Sequence, residues 1–173
     1  AYPQLKFLEL VHRLDKETSG LLVLAKKRSA LVHLHEQIRN GRMDKRYYAI
    51  LKGQLTDKVT HVKAPLHKYV AANGERRVVV AHEGEGQSAH TQFNIDQIAG
   101  DYTAVRVKIF TGRTHQIRVH FSYIGHGLIG DSVYMNRVRV PAGASELLAD
   151  TLRGFKRQAL HAAKLGLVHP RTG

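Results

Sequence analysis

The sequence predicts an α+β domain built on a mixed, mostly antiparallel sheet with a few flanking helices. Three observations lead there. Ala89, Thr91, Phe93 and Ile95 alternate with polar residues, as do Val105, Val107 and Ile109, and Gly100-Asp101 between the two runs makes them an antiparallel hairpin. Asn73-Gly74 is a second hairpin signal, with Arg77 to Val80 as its returning arm. Helical spacing is confined to a few short segments that do not alternate with strands as regular βα units would.

Taken in order, Phe7 to Val11 reads as a short strand and Leu21 to Ala25 as a buried one, a continuous apolar run too short for a buried helix. Between them lies the polar loop His12 to Gly20. Ser29 is placed to cap a helix carrying Leu31, Leu34 and Ile38, with Gly41 at its C′ position. Lys45 to Leu51 reads as a strand closed by Gly53, and Val59 to Ala64 as a short alternating strand. Glu83 to Gly86 is a loop. Thr114 is placed to cap a second helix, with Ile117, Phe121 and Ile124 on one face and Gly125 as its stop. Residues 136–157 have the least pattern, with a short helix around Glu146 to Arg153, and His161 to His169 reads as a last strand. No linker or repeat divides residues 1–173, which read as one domain.

The charge balance narrows the function. Lys plus Arg number 27 against 14 Asp plus Glu, a net charge of +13, and the pI is about 10.2. Such a surface points to a polyanion, usually nucleic acid. The chain has no Cys, so it has neither disulfides nor thiolate metal sites. No apolar run approaches a membrane span and no signal peptide opens the sequence, so a cytoplasmic protein with no membrane partner is expected. A monomer is expected as well. The absence of an initiator Met and the early strand read as a cut end.

Two segments concentrate polar chemistry. The loop His12 to Gly20 holds Asp15 between Arg13 and Lys16. An Asp in a turn often accepts hydrogen bonds from its own backbone; a carboxylate on a loop held by strands is also where catalysis is placed. His12-Arg13 before an Asp resembles a protein-kinase loop only superficially, since Leu14 intervenes and no Gly-rich phosphate loop exists. The segment Gly112 to His120 opens the second helix, where free amides and the helix dipole favour an anion, with Arg113 and His115 at that end and Arg118 a turn further in. His115 and His120 are five apart, on different helical faces, which argues against a metal. Tyr47 and Tyr48 point to opposite faces of their strand, one into the core and the other free for a site.

In combination these segments resemble the RluA family of RNA pseudouridine synthases. His12-Arg13-Leu14-Asp15 with Thr18-Ser19-Gly20 resembles the HRLDxxTSG loop, Lys45-Arg46-Tyr47 the K-x-Y element, and Gly112 to His120 the GR[ST]HQ[IL]RVH element. Gly125-His126 with Gly130-Asp131 and Tyr134 resembles GHPIxGDxxY, with Gly127 where the family usually has Pro, and Leu160-His161-Ala162 with His169-Pro170 resembles the closing LHA…HP pattern. Five elements in order over nearly the whole chain are specific, and the wording is closest to the RluC-like branch that acts on large-subunit ribosomal RNA. The family's NKPxG segment and the S4-like RNA-binding domain ahead of it are not in the sequence, so residues 1–173 read as a catalytic-domain fragment.

The resemblance implies the pseudouridine synthase catalytic fold and isomerisation of uridines in RNA without cofactor or metal. It implies Asp15 as the catalytic carboxylate and Arg118 as the cation that pairs with it and keeps it ionised. Tyr47 would stack on the flipped base. Arg13 would brace the vacated stack, and Arg113 and His115 would contact phosphates. Whether Asp15 attacks covalently or removes a ribose proton stays open. Two other classes compete: a non-catalytic RNA-binding domain in which Asp15 is structural, and a nuclease, which would normally need a cluster of metal-binding carboxylates. An Arg118→Met variant is expected to lose activity and stay folded.

Overall fold

The structure is a computed structural model that describes residues 6–56, 60–72, 74–82, 84–135 and 140–173. Its elements are β1 (Glu9–Leu10), β2 (Ser19–Gly20), β3 (Leu24–Ala25), α1 (Arg28–Arg39), β4 (Asp44–Lys52), β5 (His61–Lys63), β6 (Leu66–Val70), β7 (Arg76–Val80), β8 (His90–Ala99), β9 (Tyr102–Ile109), α2 (Gln116–Tyr123), α3 (Glu146–Gly154) and β10 (Leu160–Gly166). A six-stranded sheet runs β2-β10-β4-β9-β8-β5, and β1-β3 and β6-β7 form two separate ribbons. Every pairing is antiparallel except β2 with β10. The α+β architecture read from the sequence is therefore the one observed.

Alternation decides which face is covered. On β9 the inward set Val105, Val107 and Ile109 is buried, as are Ala49 and Leu51 on β4 and Phe93 on β8. Helix α2 lies on this face through Ile117 and Phe121, and the Phe93 and Phe121 rings meet at 5.0 Å between centroids. Burying such side chains contributes about 1.5–3 kcal/mol each. The opposite face carries Arg46, Tyr48, Arg106 and Asn94, with Tyr48 and Arg106 both bonded to Asp96.

Several local expectations change. Of the Leu21–Ala25 run, only Leu24–Ala25 pairs as strand, and Leu21, Leu22 and Leu24 are about half exposed. The β1-β3 ribbon has one covered face, where Val11, Val23 and Ala25 meet α1, and alternation sends Leu22 and Leu24 outward, while Leu21 lies ahead of the ribbon, its amide bonded to the Ala162 carbonyl. Helix α1 starts two residues earlier than expected, so Lys27 rather than Ser29 is the N-cap, with no side-chain cap. Its end is as expected: Gly41 is left-handed at φ 65°, its amide donates to Ile38 O and that of Arg42 to Gln37 O, a Schellman motif. Helix α3 is capped by Ser145, whose hydroxyl accepts from the Leu148 amide. The last strand, β10, ends at Gly166 and lies between β2 and β4 inside the sheet. The β6-β7 hairpin forms as the Asn73-Gly74 signal required; Asn73 itself, Val59, Glu83 and the Arg137–Arg139 stretch lie outside the described residues.

The β2-β10 pairing positions the loop before it. Gly20 has φ 118°, and a Cβ there would sit 2.3 Å from the Ala162 carbonyl oxygen, so both conformation and space demand glycine. Gly20→Ala is expected to destabilise the protein by more than about 1 kcal/mol. Thermal melting checks this: at roughly 2–4 °C per kcal/mol for a chain of this size, an unchanged midpoint would show the pairing to be dispensable.

Candidate active site

The loop His12 to Gly20 is pinned by its backbone and not by its carboxylate. The buried Gln158 donates from Nε2 to the Lys16 carbonyl (2.7 Å) and to Thr18 Oγ1 (3.0 Å). Ser19 Oγ lies 2.9 Å from His161 Nδ1, and the Val23 amide donates to His12 Nε2 at 3.3 Å. Burial, the leading cause, pulls the His12 pKa below the ordinary value, and the Lys45 charge adds to this against a hydrogen bond with Arg13. The turn is closed by the Asp15 carbonyl accepting from the Thr18 amide (3.0 Å), with Glu17 left-handed at φ 70°. Among the described residues the Asp15 carboxylate accepts no hydrogen bond, so it does not serve its own turn.

What faces that carboxylate is Arg118. Its Nη1 lies 3.9 Å from Asp15 Oδ2, within ion-pair reach but beyond hydrogen-bonding distance. Its strong partner is Asp131: Nε donates to Oδ2 at 2.7 Å and Nη2 to Oδ1 at 2.9 Å. Two nitrogens of the guanidinium fork are thus committed to Asp131 and the third is aimed at Asp15. Asp131 also accepts from the Val133 (2.9 Å) and Tyr134 (3.1 Å) amides. Burial would push its carboxyl pKa up, but the Arg118 hydrogen bonds, these amides and the Arg118 charge together hold it below the ordinary 3.8. The Tyr134 ring centroid is 4.9 Å from the guanidinium carbon, and its hydroxyl accepts from the Val78 amide and bonds His115 Nδ1 at 2.7 Å.

Tyr47 completes the group. It lines a cavity of about 720 Å³ together with Arg13, Asp15, Lys45 and Arg113. Burial foremost, then the Asp15 charge, push its phenol pKa up to about 12, so the hydroxyl is protonated at neutral pH. The structure thus brings Asp15, Tyr47 and Arg118 together from three distant segments, with Arg13 and Arg113 on the same cavity wall. The Arg113 Nε donates to the Ser88 carbonyl at 3.0 Å, and His115 faces Tyr134 instead of the cavity. Burial lowers the His115 pKa, against the nearby Asp15 charge.

Thr114 does not cap α2. His115 is the N-cap, left-handed at φ 53° and without a side-chain cap, and the bonding before the helix is done by Gln116. Its Oε1 accepts from Thr111 Oγ1 (2.7 Å) and the Arg113 amide (3.0 Å), while Nε2 donates to the His90 carbonyl and Thr91 Oγ1. His120, fully buried, bonds Thr91 Oγ1 and the Ala64 carbonyl, so both its ring nitrogens are occupied. Sequence reasoning also gave no role to Asp131 or Tyr134. Gly130-Asp131 was visible as a motif, but nothing in it says that the carboxylate would lie against a helix 13 residues earlier.

The family model described as RNA pseudouridylate synthase matches residues 1–123. The chain belongs to that family. Among its relatives, "Ribosomal large subunit pseudouridine synthase C" of Salmonella typhi is 46% identical over 171 residues, 99% of this chain and 51% of that protein. "Ribosomal large subunit pseudouridine synthase D" of Vibrio parahaemolyticus is 40% identical over 164 residues, 95% of this chain and 49% of that protein. The chain thus spans about half the length of the curated relatives it matches. The human protein "RNA Pseudouridylate Synthase Domain Containing 1" superposes with a TM-score of 0.75 at 24% identity, covering 95% of this chain and 64% of that one, a likeness of fold.

The buried pair changes one expectation. Arg118→Met strands a fully buried Asp131, so it is expected to lose about 3–5 kcal/mol of stability besides any activity; a denaturant titration matching wild type would contradict this. The pair also sets an acid limit. Because the Asp131 pKa is depressed on folding, its contribution is present above the ordinary value of 3.8 and is lost as pH falls through the lower folded value. Asp131→Asn should flatten that acid fall in melting temperature at the cost of lower stability at neutral pH.

Proposed function

We propose that this protein isomerises uridines to pseudouridine in RNA, its substrate being large-subunit ribosomal RNA. The observation that carries the proposal is that Asp15 and Tyr47 line one cavity, with Arg118 Nη1 3.9 Å from the Asp15 carboxylate, in a chain of this family. The reaction breaks the N1–C1′ bond and makes a C5–C1′ bond; C5 gives up a proton and N1 gains one, so no oxidant, reductant or added group is required. The uridine has to leave its stack to be reached.

In this reading Asp15 is the catalytic carboxylate, left free of its own loop so that it can meet the ribose or base. Arg118 is a positioning residue, held by Asp131 and presenting Nη1 to Asp15. Tyr47 offers a protonated ring to the turned-out base, and Arg13 braces the stack it vacates. Arg113 contacts the RNA backbone at the cavity rim, and His115, with Nδ1 bound to Tyr134, has Nε2 left for RNA. Residues 1–173 act as the catalytic domain, a monomer in the cytoplasm working without cofactor or metal. No helix among the described residues is long and apolar enough to cross a membrane.

Tritium release from [5-³H]uridine in unmodified ribosomal RNA tests the proposal. Wild type should release label and Asp15→Asn should be slowed by about 10²-fold or more, the scale of a lost positioned acid–base group. Retained activity in Asp15→Asn would remove Asp15 from the mechanism, and RNA binding without release by wild type would favour a binding domain. Tyr47→Phe keeps the ring and should bind RNA as wild type does, while Tyr47→Ala should lose about 1–3 kcal/mol of binding, read by fluorescence anisotropy.

A further inference from the structure

Lys45 has no part in the reading above, yet it stands in the same cavity. It precedes Tyr47 by two residues on β4, so both side chains leave the same face of the strand. Its ammonium lies against Gly112 in the loop before α2: a Cβ on Gly112 would come within 3.1 Å of Lys45 Nζ. Gly112 has no left-handed φ, so what its missing side chain provides is room for that ammonium. Among the described residues no carboxylate comes within ion-pair distance of Lys45 and no hydrogen bond reaches its Nζ.

A half-buried ammonium with no counter-charge is unfavourable, and burial alone pulls the Lys45 pKa below its ordinary value. A neighbour of opposite charge would reverse that balance, and the cavity is open to receive one. The ammonium stands by Gly112 on the wall of the cavity that Asp15 and Tyr47 also line. At a strand rise of about 3.4 Å per residue, Lys45 and Tyr47 are offset by roughly 6.8 Å. A nucleotide whose base lies on Tyr47 has its backbone phosphate displaced from the ring on this scale.

We propose that Lys45, given room by Gly112, forms a phosphate subsite that holds a backbone phosphate of the nucleotide whose base stacks on Tyr47. The assignment rests on the RNA-isomerase reading and deepens it. A compact ammonium suits this task because it binds phosphate as a point charge without fixing one orientation of the chain.

The test compares wild type, Lys45→Met and Lys45→Arg, using uridine and uridine 3′,5′-bisphosphate as probes in NMR titrations and unmodified large-subunit ribosomal RNA for turnover. Wild type should prefer the bisphosphate to uridine. Lys45→Met should cut that preference by about tenfold, the scale of one charge-assisted hydrogen bond, with uridine binding unchanged, and Lys45→Arg should restore most of it. On ribosomal RNA, Lys45→Met should raise KM about tenfold and leave kcat near wild type. The slope of log KM against log salt should fall by about 0.7, one single-strand phosphate contact. The melting temperature should not fall, since the charge removed has no partner, so a loss of preference cannot be ascribed to unfolding. Undiminished preference for the bisphosphate in Lys45→Met, or equal loss of uridine and bisphosphate binding, would overturn the subsite. The nucleotide titrations do not depend on turnover: an inactive wild type that keeps its bisphosphate preference, lost in Lys45→Met, would overturn the isomerase reading and leave the phosphate subsite standing.

Discussion

Arg118 and Asp131 are both removed from water, and each makes the other's burial tolerable. Asp131 accepts four hydrogen bonds, two from the Arg118 guanidinium and two from the backbone amides of Val133 and Tyr134. Taking either charge out of water alone would be prohibitive. Because the guanidinium is a rigid planar fork, holding two of its nitrogens on Asp131 fixes where the third points, and it points at Asp15. Tyr134 extends the arrangement, lying over the guanidinium while its hydroxyl ties His115 to the Val78 amide of β7. The strands, the helix and the loops of the site are thereby referred to one buried ion pair.

The loop carrying Asp15 is organised on the opposite principle. An aspartate in a turn ordinarily spends its carboxylate on nearby amides. Here Gln158, Ser19 and Gly20 hold the backbone from the β10 side, and the turn closes through the Asp15 carbonyl. The side chain is left uncommitted at the cavity wall beside a phenol whose proton is held by burial and by the Asp15 charge. A fixed backbone with a free carboxylate is the preorganisation that catalysis in a partly dry pocket needs.

Strand and hairpin positions were legible because the relevant physics is local. The alternation at Val105, Val107 and Ile109 appears unchanged as a buried face, and Gly41 closes α1 as its backbone freedom allows. Expectations failed where a distant partner outweighed a local preference. Thr114 was a sound local cap, but Gln116 takes the amide and hydroxyl before the helix and His115 turns left-handed. Leu21 to Leu24 satisfied the composition of a buried strand, but a two-stranded ribbon covered on one side can bury only alternate residues.

By itself the sequence determined the α+β class, the basic surface and the family resemblance, since these follow from periodicity, charge and motif order. Only the tertiary structure decided how the residues of the site are held. Arg118 spends its strongest bonds on Asp131 and its remaining edge on Asp15, and Lys45 stands beside Tyr47 with no ion-pair partner among the described residues. The reason is that a charge chooses its partner by distance and burial, and neither is set by any local run of residues.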